Sequence, residues 1–175
     1  MENAPASTRR PFGLHVQLWR DVWFLGFALV IILADQASKW AIGQWLARGD
    51  EFPGDWPVRF VHITNSGAAF GILQDTGPLL VIVSIVGILA ILFYMFNPGF
   101  AHPVMRFGLV LMFAGAVGNL IDRILAGEVI DFIKLPSWPA FNIADSAITI
   151  GVLLLVWTIL FDRSEPETET NEEAS

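Results

Sequence analysis

GEVIDFIKLPSWPAFNIADSAITI, residues 127–150, holds two aspartates, Asp131 and Asp145, in a strongly apolar setting. An ionised carboxylate among hydrophobic neighbours costs several kcal/mol unless a partner or a second acid compensates, so both residues call for a reason. Between them runs Leu-Pro-Ser-Trp-Pro at 135–139, whose two prolines break any continuous helix. The two acids therefore belong to different elements joined by a turn, and the chain is free to fold back and bring them together.

The composition around this stretch is that of a membrane protein. Of 175 residues, 54% are hydrophobic and 15% charged, and the mean hydropathy is +0.58, too apolar for a water-soluble domain of this size. The net charge of -7 is concentrated at the C-terminal end, where residues 162–175 carry six acids against Arg163, a net of -5, leaving about -2 for the rest. No basic surface offers itself to nucleic acid. The chain contains no cysteine, hence no disulfide, thiolate nucleophile or lipidation site of its own. His15, His62 and His102 are scattered through the sequence, which argues against a zinc site.

Outward from the aspartates the chain divides into four apolar spans. Residues 1–20 read as a retained polar cytoplasmic tail with Arg9, Arg10 and Arg20 and no signal-peptide cleavage pattern. The first span covers about 22–46, long enough for a hydrocarbon core that needs roughly 20 helical residues. Inside it Asp35 and Lys39 lie four apart, stacked on one helix face where they neutralise each other. Residues 47–76 form an outside loop, with a strand-like segment over 58–65 followed by the Gly-rich NSGAAFGIL. There Gly67 and Gly71 allow close backbone approach, and Asn65 supplies an amide that both donates and accepts.

The second span, about 78–96, lies in a run of thirty residues free of Asp, Glu, Lys and Arg, and Asn-Pro-Gly at 97–99 ends it. The third starts near Arg106, but only fifteen uncharged residues precede Asp122, and only sixteen separate Asp145 from Asp162 in the fourth. Both fall short of the ~20 required. Asn119, Asp122, Arg123 and Asp145 are therefore expected at one and the same membrane boundary, below a second outside loop at about 126–142. Both termini then share a side, and five arginines on that side against four basic residues on the other favour the cytoplasm by a narrow margin. The tail over 162–175 is acidic and is expected to be disordered.

Two carboxylates close together tend to share one proton. Such a pair deprotonates a water with one member while the other hydrogen-bonds the carbonyl under attack, which is hydrolysis without a metal or a protein nucleophile. Plainer readings stand beside this one. Asp145, before Ser146-Ala147-Ile148, fits a helix N-cap. Asp122 beside Arg123 reads as an ion pair at a span end, although Arg123 also suits a substrate carbonyl. Asp35 with Lys39 reads as a buried scaffold pair. A Ser38–Lys39 dyad is discounted, since neighbours on a helix point about 100° apart. The seven tryptophans fall mostly near span ends, as interfacial anchors do. A proton-coupled transporter and a scaffold subunit remain as rival functions, the first disfavoured because the acids cluster at one face and the second span is uncharged.

Five blocks taken in order, DQASK at 35–39, NSGAAFG at 65–71, GNLIDR at 118–123, VIDF at 129–132 and FNIAD at 141–145, resemble those of the bacterial lipoprotein signal peptidases, or signal peptidase II. The resemblance covers about 21–161 and implies a mainly α, polytopic fold of four transmembrane helices with a small periplasmic β-rich cradle. It implies an aspartic endopeptidase of the bacterial inner membrane, without a cofactor or metal. Such an enzyme removes the signal peptide from prolipoproteins on the amino side of a diacylglyceryl-modified cysteine. By that likeness Asp131 and Asp145 are the catalytic dyad, and Asn65, Gly67, Asn119, Arg123 and Asn142 bind substrate or orient the dyad. Asp35, Lys39 and Asp122 support the fold. Membrane lipid and globomycin-type inhibitors are the further partners it implies. Oligomeric state is not read from the sequence.

Overall fold

The computed structural model describes residues 13–67, 77–97 and 102–161. Four helices account for most of them: α1 (Gly13–Trp45), α2 (Gly77–Phe96), α3 (Pro103–Ala126) and α4 (Ile143–Phe161). Each contains a stretch long and apolar enough to cross a membrane: Val22–Trp45, Gly77–Met95, Pro103–Ala126 and Ile143–Phe161. The four expected spans are thus present. The helix preceding the first of them starts earlier than the composition suggested, since residues 13–20, read as tail, are helical. The rest of that tail, residues 68–76 of the Gly-rich loop with Gly71 among them, and the acidic C-terminal tail lie outside the described residues.

The large hydrophobics of α1, α2 and α4 are largely exposed, among them Leu29, Leu33, Val86, Leu89, Leu153 and Ile159, as helix faces turned to lipid should be. α3 is the central helix and packs against α1, α2 and α4. Its ends follow from its sequence: Pro103 opens it, where a missing N–H costs nothing, and Gly127 closes it at φ 77, donating its N–H to Arg123 O over 3.1 Å. Small residues bring α4 against it. A Cβ on Gly108 would meet Gly151 O at 2.9 Å, and one on Gly118 would meet Asp35 Oδ2 at 2.8 Å and Ala144 Cβ at 3.4 Å. The backbones approach as closely as small residues permit, the usual way helices associate where lipid removes the hydrophobic incentive.

At the end where α1 and α3 finish and α4 begins sits an antiparallel sheet in the order β1-β2-β3, formed by β1 (Glu51–Phe52), β2 (Arg59–Asn65) and β3 (Val129–Lys134). β2 is the strand expected over 58–65. β3, however, occupies what the sequence reading treated as loop, and it ties the two connections together, with Ile63 opposite Asp131 and Asn65 opposite Val129. The Leu135–Pro139 turn then doubles back: Trp138 donates its N–H to Leu135 O, and Ile133 and Phe141 exchange backbone hydrogen bonds of 2.8 and 3.0 Å. By this return the chain from Asp131 reaches the N-terminus of α4, as the prolines foretold.

Candidate active site

Asp131 and Asp145 line one cleft of about 530 Å³, together with Asn65, Gly67, Asn119 and Arg123. Its apolar wall comes from Val129, Leu135, Trp138, Pro139, Phe141 and Ile148. The strand and the helix supply one acid each.

Asp131 sits mid-strand in β3, only 4% exposed. Asn65 is its diagonal neighbour across the β2–β3 pair, on the same sheet face. The Asn65 carboxamide is oriented by its own backbone surroundings: Oδ1 accepts the Gly67 N–H at 2.9 Å, so Nδ2 donates to Asp131 Oδ2 at 3.1 Å. The other carboxyl oxygen, Oδ1, accepts from Asn142 Nδ2 at 2.9 Å. Burial, and after it the Asp145 charge, push the Asp131 carboxyl from its ordinary 3.8 up to about 6, against the pull of the two amides.

Asp145 stands in the first turn of α4 but is not its N-cap. That position belongs to Asn142, whose Oδ1 accepts the Asp145 N–H at 2.9 Å while Asp145 Oδ2 accepts the Asn142 N–H at 3.2 Å. The exchange is a capping box, with Asp where Glu or Gln is commoner. The capping reading of Asp145 is corrected accordingly: it contributes one oxygen to the cap and keeps the other, Oδ1, which accepts from Asn119 Nδ2 at 2.8 Å. Asn142, fully buried, thus holds both acids at once, one through its backbone and one through its side chain.

Beneath the cleft lies a buried polar cluster. Lys39 donates to Asp35 at 2.7 Å, as the four-residue spacing implied, and also to Asn119 Oδ1 at 3.0 Å and to Asp122 at 2.5 Å. This corrects the reading of Asp122 as the partner of its neighbour Arg123: successive helix residues point apart, so Asp122 turns to α1 while Arg123 turns to the cleft. Gln36 also enters the cluster, donating to Asp122 at 3.0 Å and to Gly118 O at 3.2 Å. It was missed by sequence reasoning, although its spacing of three from Lys39 places it on the same helix face. Ser38 turns its hydroxyl onto Asp35 O at 2.8 Å, which leaves no Ser–Lys dyad.

Four membrane-length helices capped by a small sheet, with one polar cleft at their shared end, define a polytopic membrane enzyme. Its family is equally plain: the chain belongs to the signal peptidase (SPase) II family, whose model matches residues 27–161. It is therefore a peptidase. The lipoprotein signal peptidase of Pelotomaculum thermopropionicum is 40% identical over 134 residues, 76% of this chain and 88% of that protein. That of Symbiobacterium thermophilum is 39% identical over 145 residues, 78% and 93% of the respective chains. A solved structure of a bacterial membrane enzyme superposes with a TM-score of 0.76 at 33% identity, covering 87% of this chain and 94% of that one. A second, at 35% identity, gives 0.72 over 79% and 93%.

Proposed function

We propose that this protein removes the signal peptide from diacylglyceryl-modified prolipoproteins, cutting on the amino side of the lipidated cysteine, with Asp131 and Asp145 as the catalytic pair. The observation that carries the reading is that both carboxyls open into one cleft and are tied to the same residue, Asn142. The pair holds one proton between them. The ionised member takes a proton from a water as its oxygen bonds to the scissile carbonyl carbon, and the protonated member gives its proton to the carbonyl oxygen. Collapse of the resulting gem-diol breaks the C–N bond as the proton taken from water passes to the leaving amine nitrogen, and one gem-diol hydroxyl returns its proton to the acid that had given one up, so the pair again holds a single proton. Arg123, at the cleft, suits the substrate carbonyls, and Asn65, Asn119 and Asn142 keep the acids in place.

The depth of the cleft fits that substrate. It sits where three of the spans end, so it is expected at the membrane surface, on the periplasmic side of the bacterial inner membrane with both termini cytoplasmic. A signal peptide's apolar segment is itself a membrane helix, and acyl chains on the cysteine hold the bond at a fixed depth at about 0.8 kcal/mol per buried methylene. An enzyme with its acids at that depth starts from an oriented substrate. A proton relay through the bilayer is a poorer match, because the buried acids gather at one end and α2 carries no charged residue. Globomycin-type peptides would compete for the same cleft.

The test is cleavage of a diacylglyceryl-modified prolipoprotein by purified protein without added metal. Asp131→Asn and Asp145→Asn should each abolish turnover, by about 10³-fold or more, while the helical content and elution volume stay unchanged. Full activity in either variant would remove that residue from the mechanism.

A further inference from the structure

Lys39 is 3% exposed, and the three N–H donors of its ammonium have three acceptors: Asp35 Oδ2, Asn119 Oδ1 and Asp122 Oδ2. A structural ion pair needs only the carboxylates. The third bond does something more, because it commits one end of the Asn119 carboxamide. Asn119 Oδ1 also accepts from Asn142 Nδ2 at 3.2 Å, so that oxygen faces two donors and Nδ2 must face Asp145 Oδ1. Turned over, the amide would set its NH₂ against an ammonium and another amide, and its oxygen against a carboxylate. The same cluster reaches Asp145 by a second route. Asp35 Oδ1 accepts the Ala144 N–H at 2.9 Å and so fixes the first turn of α4, while Gln36 ties Asp35 to Asp122.

We propose that Lys39 is a positioning residue for peptide-bond hydrolysis: its ammonium holds the Asn119 carboxamide in the one orientation that aims an N–H at Asp145. The inference rests on Asp131 and Asp145 being the catalytic pair. It assigns the buried α1 cluster a part in turnover beyond supporting the fold. The charged groups around the pair are Lys39 and Asp35 from α1 and Asp122 and Arg123 from α3, while β2 presents the neutral Asn65. The positive charge of Lys39 also favours the ionised form of Asp131.

The experiment is a double-mutant cycle on the full-length protein, with kcat, KM and the pH profile of kcat measured on a diacylglyceryl-modified prolipopeptide. Lys39→Met should lower kcat about 30-fold with KM within about threefold, and should move the limb of the profile assigned to the pair to higher pH. Lys39→Gln, which keeps an N–H donor without the charge, should recover part of the loss. In an Asn119→Ala background Lys39→Met should add no more than about threefold, since the residue it acts through is gone. Losses that multiply, or a kcat and pH profile unchanged from the parent, would overturn the proposal. If Lys39→Met does not give folded protein, Lys39→Gln carries the same cycle. Asp131→Asn and Asp145→Asn run alongside separate the two ideas: active dyad variants sink the catalytic pair itself, whereas inactive ones with a silent Lys39 sink only its positioning role.

Discussion

At the scale of single residues, the site depends on how few side chains satisfy how many groups. The Asn142 side chain both caps α4 and donates to Asp131, so one truncation removes both functions and leaves only the backbone N–H on Asp145. Asn142→Ala should lower stability by about 1–2 kcal/mol, as lost caps do, and lower kcat much further, by about 100-fold, when unfolding and turnover are measured side by side. Asp131 leaves a mark on stability with a definite sign. Its carboxyl is raised in the folded protein, so between pH ~4 and ~6 the folded state binds the proton more tightly than the unfolded chain. Stability from this group is therefore present at low pH and lost as pH rises through about 6, by on the order of 3 kcal/mol for a shift of this size. Unfolding midpoints taken across that window should fall in the parent protein and flatten in Asp131→Asn. The aspartates themselves were legible in the sequence, because an acid among apolar residues has no cheap explanation. The capping box was not, since it depends on where α4 begins.

At the scale of elements, the contact that matters most is α3 against α4, because it sets where Asp145 stands relative to Asn119. Gly118 is a tight point near the site, where a methyl group would press on Asp35 Oδ2 and Ala144. Gly118→Ala should cost about 1–3 kcal/mol by overpacking and reduce turnover by displacing the first turn of α4. Thermal unfolding and kcat of the same preparation check both halves. The helices were visible in advance, since long apolar runs in a chain of this composition leave few alternatives. β3 was not, because VIDFIK carries no helix and no turn signal and becomes a strand only by pairing with β2. Likewise Asp122 next to Arg123 suggested a local pair, and only the approach of α1 to α3 gave Asp122 to Lys39.

At the scale of the whole molecule, four spans put the cleft at one end and the α2–α3 connection at the other. The absence of native cysteine makes this orientation easy to read. In intact cells a membrane-impermeant thiol reagent added from outside should label Asp50→Cys, in the connection beside the cleft, and spare Asn97→Cys, between α2 and α3. The reverse pattern would turn the molecule over and remove the periplasmic assignment. Exposed tryptophans flank the same layout, with Trp45, Trp56 and Trp138 toward the cleft end and Trp23 and Trp157 toward the other.

The sequence alone determined the four apolar spans, the shared level of the acids and the fold-back between Asp131 and Asp145. Each of these follows from the cost of putting charge in hydrocarbon and from the inability of proline to continue a helix. Only the tertiary structure decided which groups meet: Lys39 with Asn119 and Asp122, Asn65 with Asp131, and Asn142 with both acids. Apart from those of Asn142, which lies three and eleven residues from the two acids, those pairings join residues far apart in the chain, and their partners are chosen by how closely glycine lets α3 and α4 approach and by the register of two strands.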